Sequence, residues 1–322
     1  MLPYLERATS DAESMYQYGF TKNVACNTAA VLLTEMTAEA FDTKQALPII
    51  FMDASKAFDV VHHQGLLNIL YEQGLTDDLW HLVNDTYTNI TSLVKWNSIL
   101  SPTFHEQQGI RQGFHLSAKL FKNRSAPLLN TVANHQDGFT IGTIKCSALM
   151  VADDLVMAAN SPRGLQSMID EAELDASNER YLFSATKTKY QIINASTSPT
   201  STSPNLYNKP IARSPMERHI GIYRREDGRH STTVNERIKS ANRALYSLMG
   251  AGLHGLNGVN PLTASHLINI YVKPCLTYGL EALCLSDNDM AKLEGFYKKT
   301  LRQIQHLPQS TGPPACYLLV GA

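Results

Sequence analysis

Three carboxylates stand where apolar segments would otherwise continue. Asp153 and Asp154 interrupt the run from Ala148 to Ala158, and Asp53 closes the run Ile49-Ile50-Phe51-Met52. Charge is rarely set into a buried apolar element without a partner. Hard divalent cations such as Mg²⁺ take carboxylate oxygens and keep positions open for water and phosphate. If the two apolar segments lie side by side as strands, the three acids can share metal ions and act on phosphate. Taken alone, the Asp-Asp pair reads more readily as a hairpin turn, because Asp is a common turn residue. Two further stretches stand out. The loop Gln108-Gly109-Ile110-Arg111-Gln112-Gly113 has glycines that let a backbone approach a ligand closely. Lys187, in Thr186-Lys187-Thr188-Lys189, offers a cation; a surface loop with two lysines is its alternative. His62-His63 lack the spacing of metal ligands and read as structural.

The elements that must position these groups follow from periodicity and caps. Residues 46–52 read as a buried strand, and 148–158 as strand, turn, strand. Ala30, Leu33, Thr34, Thr37 and Ala40 have helical spacing. Gly65 to Gln73 reads as a helix stopped by Gly74, and Thr76 as the N-cap of the next. Residues 91–96 and 103–106 read as a small hairpin. Ser161-Pro162 opens a helix whose apolar face is Leu165, Met168, Ile169, Ala172 and Ala176. Residues 195–204 (ASTSPTSTSP) read as a flexible linker. Beyond it the chain reads as helical: Val234, Ile238, Ala241, Leu245 and Leu248 line one face up to Gly250, Asn260-Pro261 opens another helix, and Ser286 with Asp289 forms a capping box.

In this order the motifs resemble those of a known family. FMDASKAFDVV (51–61) resembles the first catalytic motif of reverse transcriptases, and LMVADDLVMAA (149–159) resembles their aspartate-pair motif; the wording is closest to non-LTR, LINE-type retrotransposon polymerases. Gln17-Tyr18-Gly19-Phe20 resembles a Gln-x-Gly-Phe element that packs near the template. Arg218-His219-Ile220-Gly221-Ile222 resembles the strand element that grips the primer end. The resemblance implies an α+β fold: a right-hand polymerase palm, an antiparallel sheet with helices, with partial fingers and a helical thumb. It implies a partial fingers lead-in over 1–45, a fingers–palm core over 46–225, a thumb over 226–310 and the start of a truncated downstream region over 311–322.

The resemblance also implies the chemistry. An RNA template, a DNA primer and deoxynucleoside triphosphates (dNTPs) are the partners, and two Mg²⁺ ions, with Mn²⁺ as a substitute, are the cofactors. Asp53, Asp153 and Asp154 become the catalytic, metal-holding acids, with Asp53 and Asp153 bridging the ions and Asp154 nearby. Phe58 becomes the aromatic under the sugar that favours deoxynucleotides; a core Phe is its alternative. Gln112 and Gly113 lie against the nascent base pair, and Lys187 near the leaving pyrophosphate. Ser117 keeps its place in the glycine-loop motif. Phe114, His115 and Ala118 depart from the usual wording there, and Val151 stands where Tyr is usual. The rival is a non-catalytic remnant that keeps the fold and at most binds nucleic acid. An unrelated two-metal nuclease explains the carboxylates but not the glycine loop, Phe58 or the helical end.

Composition sets limits. With 43% apolar and 18% charged residues over 322, the chain is ordinary for a globular protein. The net charge of −1 lacks the basic excess usual in nucleic-acid binders, although residues 213–243 are locally basic. Five dispersed cysteines suggest free thiols and an intracellular setting, nucleus or cytoplasm. No apolar run is long enough to span a bilayer, and no membrane partner is expected.

Overall fold

The structure, a computed structural model, describes residues 1–195, 203–254, 256, 258–318 and 320. The expected linker at 195–204 falls largely outside them. The chain divides into two compact units, Met1–Ile220 and Gly221–Ala322.

The first unit is built on a sheet of strands β1 (Leu47–Asp53), β2 (Ala148–Val151), β3 (Asp154–Ala158), β4 (Lys189–Ile193) and β5 (Ala212–Arg213). Their order is β5-β4-β1-β3-β2 among the described residues. β1 lies antiparallel to both β4 and β3, β3 antiparallel to β2, and β5 parallel to β4. The acid-bearing strands are therefore neighbours at the centre of the sheet.

Helices cover both faces, which explains why these strands read as continuous apolar runs. The helices of this unit are α1 (Leu2–Ala8), α2 (Cys26–Asp42), α3 (His63–Glu72), α4 (Asp77–Tyr87), α5 (Ser117–Ala133) and α6 (Pro162–Asn178). Successive side chains of a strand alternate between faces. Ile50, Met52, Met150, Leu155 and Met157 pack with Leu129 and Val132 of α5 and with Leu165, Met168, Ile169, Ala172 and Ala176 of α6. Ile49, Leu149, Val156 and Ala158 pack with Ala29, Leu33, Met36 and Ala40 of α2. The Ser161 hydroxyl accepts from the Gly164 amide (3.0 Å) and opens α6. Thr76 stands at the N-cap of α4 but makes no capping bond; its hydroxyl donates to Asp77. The expected hairpin is nested, with 91–92 pairing 104–105 and 95–96 pairing 99–100.

Past the strand Ile222–Arg225 the second unit is helical. It contains α7 (Ser231–Met249), α8 (Pro261–Leu267), a π-helical segment (Ile268–Val272), α9 (Lys273–Thr277), α10 (Asp287–Ile304) and α11 (Pro313–Leu318). Asn260 caps α8 by accepting from the Leu262 amide, and Ser286 caps α10 by accepting from that of Asp289. Ala241, Leu245, Leu253, Ile268, Val272, Leu301 and Ile304 form its core. No helix among the described residues is long and apolar enough to cross a membrane.

Candidate active site

The register of the central strands gathers the charged groups. Asp53, the last residue of β1, pairs directly with Asp154, the first of β3. Directly opposite residues of an antiparallel pair share a face, so the two carboxylates stand together at the end of the sheet. On the other flank Phe51 pairs with Lys189 of β4. Continuing that register sets Lys187 opposite Asp53, and the Lys187 ammonium donates to Asp53 Oδ2 at 3.0 Å. The segment before β4 is held in place by the Ser184 amide donating to the Asp53 carbonyl and the Ser55 amide to the Leu182 carbonyl. Asp53, Asp154 and Lys187 line one open pocket with Phe51, Glu217, Arg218 and His219.

Asp153 sits one step away, in the two-residue turn between β2 and β3. It lines the neighbouring cleft with Ala54, Phe121, Arg124, Tyr181 and Phe183. In the strand register Asp154 is the cross-strand partner of Asp53, and Asp153 is the next residue in the turn. The electrostatics record their proximity. Desolvation raises the Asp154 carboxyl above its ordinary value although its tip is open to solvent; Asp153 and Asp53 raise it further, and Lys187 acts against them. The hydrogen bond to Asp53 and its charge hold the Lys187 ammonium above its ordinary value, with smaller contributions from Asp153 and Asp154.

Among the described residues no group of three or more His, Cys, Asp or Glu side chains is arranged to hold a metal ion. The donor set nevertheless suits a hard cation. Its atoms are carboxylate oxygens, and beyond the desolvation that chiefly raises the Asp154 carboxyl, the charges of Asp153 and Asp53 add to it.

The other expected residues are placed as follows. Phe58 is half-buried and stacks on Phe121 of α5 with ring centroids 4.5 Å apart; the edge of Phe20 meets it at 6.1 Å. Gln112 and Gly113 are exposed in a turn closed by the Phe114 amide donating to the Arg111 carbonyl (3.3 Å). Gly113 has φ +82° there, which suits glycine at the third position of a type II turn. The Ser117 hydroxyl donates to the Arg111 carbonyl and ties this turn to the start of α5. His62 and His63 are structural: His62 accepts from the Gly65 amide, and His63 bonds the Gly109 carbonyl.

Sequence reasoning underrated two groups. Gln17-Tyr18-Gly19-Phe20 packs against the acid turn: the Gln17 side chain bonds both the amide and the carbonyl of Ala152. Arg124, buried on α5, lies 4.3 Å from the Tyr181 ring centroid and 3.6 Å from Asp175 beneath the Asp153 cleft. The motif wording around Gln17 pointed to importance but carried no signal of its partner. Arg124 sits in an otherwise ordinary helical stretch.

The family model described as reverse transcriptase (RNA-dependent DNA polymerase) matches residues 3–217, the stretch that carries Asp53, Phe58, Gln112, Gly113, Asp153, Asp154 and Lys187. The chain belongs to the reverse transcriptase family. It is similar to Pol polyproteins of R2 elements, which are non-LTR retrotransposons. One, from Nasonia vitripennis, is 32% identical over 150 residues, covering 47% of this chain and 14% of that protein. Another, from Popillia japonica, is 23% identical over 287 residues, covering 82% of this chain and 43% of that protein. The chain thus spans less than half the length of these relatives.

Solved telomerases share the reverse transcriptase fold. The Candida tropicalis enzyme in complex with the TWJ fragment of telomeric RNA superposes with a TM-score of 0.53 at 11% identity, over 99% of this chain and 53% of that one. Its apo form truncated from the C-terminal domain gives 0.50 at 14% identity, over 70% and 43%. The chain therefore has an α+β polymerase architecture.

Proposed function

We propose that the chain forms the palm and thumb of an RNA-directed DNA polymerase that extends a DNA primer along an RNA template with dNTPs. The observation that carries this reading is the register that sets Asp53 opposite Asp154, with Asp153 next in the turn and Lys187 on the other flank. Two Mg²⁺ ions, or Mn²⁺, held by Asp53, Asp153 and Asp154 would activate the primer hydroxyl and neutralise charge on the phosphates. Lys187 exchanges its bond to Asp53 for one to the leaving phosphate. Gln112 and Gly113 present an open backbone turn to the incoming base pair. Phe58, braced by Phe121, packs beneath the sugar and disfavours a 2′-hydroxyl.

A non-catalytic remnant is the second reading. The observation that favours it is the Lys187–Asp53 pair together with the absence, among the described residues, of a gathered acid group. Primer extension on an RNA template with Mg²⁺ separates the two. The polymerase reading expects template-directed extension that Asp53→Asn and Asp153→Asn abolish. Primer–template binding without extension, in Mn²⁺ as in Mg²⁺, places the remnant ahead.

A further inference from the structure

The segment before α2 is a strap across the site. The Met150 amide donates to the Tyr16 carbonyl (2.9 Å) and the Tyr18 amide to the Met150 carbonyl (2.8 Å), so the segment pairs along the free edge of β2. Upstream, the Glu13 carboxylate binds the ammonium groups of Lys119 and Lys122 on α5. Downstream, Phe20 lies edge-on to Phe58.

Between these anchors Gln17, only 2% exposed, reaches the acid turn. Its Oε1 accepts from the amides of Ala152 (3.1 Å) and Gly19 (2.8 Å), and its Nε2 donates to the Ala152 carbonyl (3.0 Å). Ala152 needs this help. It has φ +59°, a conformation disfavoured for a residue with a Cβ, and it sits at a hairpin tip where the strand ladder has ended. A side-chain amide carries both donor and acceptor, so one residue can satisfy both backbone groups. Gly19 completes the fit: a Cβ there would stand 2.2 Å from the Ala152 nitrogen.

We propose that Gln17 is a positioning residue that fixes the backbone of the acid turn and thereby the directions of Asp153 and Asp154. What the turn then does rests on the polymerase reading above; the clamp itself does not. Amide hydrogen exchange followed by mass spectrometry tests the clamp. In Gln17→Met, exchange in the peptide covering 148–158 should rise about tenfold, the loss expected when buried backbone groups lose their partners. Peptides from α6 and α7 should keep the exchange of the parent chain. Unchanged exchange at 148–158, or an equal rise throughout, overturns the proposal. Gln17→Asn keeps both the donor and the acceptor on an arm one carbon shorter. It should show a smaller rise at the same peptide, and it serves in place of Gln17→Met if that variant does not fold.

Mn²⁺ binding followed by electron paramagnetic resonance tests the consequence. Gln17→Met should weaken it about tenfold, in the direction of Asp153→Asn. A Gln17→Met protein with local exchange raised and Mn²⁺ affinity equal to the parent's overturns the positioning role. If Asp153→Asn itself leaves Mn²⁺ binding unchanged, the cation reading fails, and the exchange result still decides the clamp.

Discussion

The Lys187 ammonium lies 3.0 Å from Asp53 Oδ2, on the flank of Asp53 opposite Asp154. Asp53 thus stands between an acid and a base, each supplied by a neighbouring strand register. A cation arriving at the acids would compete with Lys187 for Asp53. Lys187→Gln should therefore bind Mn²⁺ at least as tightly as the parent. Primer extension should slow by on the order of a hundredfold, the usual cost of losing one preorganised donor at a phosphate. Mn²⁺ titration beside single-turnover extension measures both; weakened Mn²⁺ binding would instead mean that Lys187 shapes the acid site.

The raised Asp154 carboxyl makes stability depend on pH. Desolvation, Asp153 and Asp53 set its folded-state value above that of the unfolded chain. The folded protein then holds a proton that the unfolded chain has released, so this contribution to stability is lost as pH rises through the folded value. Asp154→Asn should raise the melting temperature at neutral pH, and the gain should vanish below the ordinary carboxylate range near pH 4. Thermal melts of both proteins between about pH 4 and pH 7 check the sign.

Phe58 packs on Phe121, and in the proposed polymerase it also lies beneath the sugar. Its stack on Phe121 at 4.5 Å predicts that Phe58→Ala destabilises the fold by about 2 kcal/mol, below the ~3–5 kcal/mol of a fully buried ring. As the surface beneath the sugar it also predicts greater ribonucleotide incorporation relative to deoxynucleotide. Chemical denaturation and competition between the two nucleotide types measure the two effects. Unchanged sugar discrimination with lost stability would leave Phe58 a packing residue.

Glu13 holds two buried lysines. Burial alone would raise its carboxyl, but the hydrogen bonds from Lys119 and Lys122 outweigh this and hold it below the ordinary value. Its stabilisation is therefore present at neutral pH and lost as pH falls through the folded value. Glu13→Gln leaves both ammonium groups without a counter-charge and should cost about 2–3 kcal/mol, somewhat less than a fully buried pair. Denaturant midpoints at neutral and acidic pH should differ for the parent and converge with those of the variant.

Much of this site was legible in the sequence because strand burial, caps and acids leave local signals. The apolar runs ending at Asp53 and broken at Asp153-Asp154 became adjacent strands, and the Ser161, Asn260 and Ser286 caps stand where their residue types put them. What escaped depended on tertiary contact. Nothing near Gln17 indicates that its amide meets Ala152 across the fold, and nothing near Lys187 indicates a bond to Asp53. The order of the two acids also required register: adjacent Asp residues look equivalent in sequence, yet one begins a strand and the other sits in the turn. The π-helical segment 268–272 follows α8 without a break in composition.

Polymerase chemistry at this site requires Asp53, Asp153 and Asp154 to form one cation site, which Mn²⁺ binding in the presence of a deoxynucleoside triphosphate and primer–template reads out. Two ions should bind to the parent chain. At least one should be lost in each of Asp53→Asn and Asp153→Asn, with a weaker effect in Asp154→Asn. Mn²⁺ binding that none of the three substitutions changes would contradict a shared cation site.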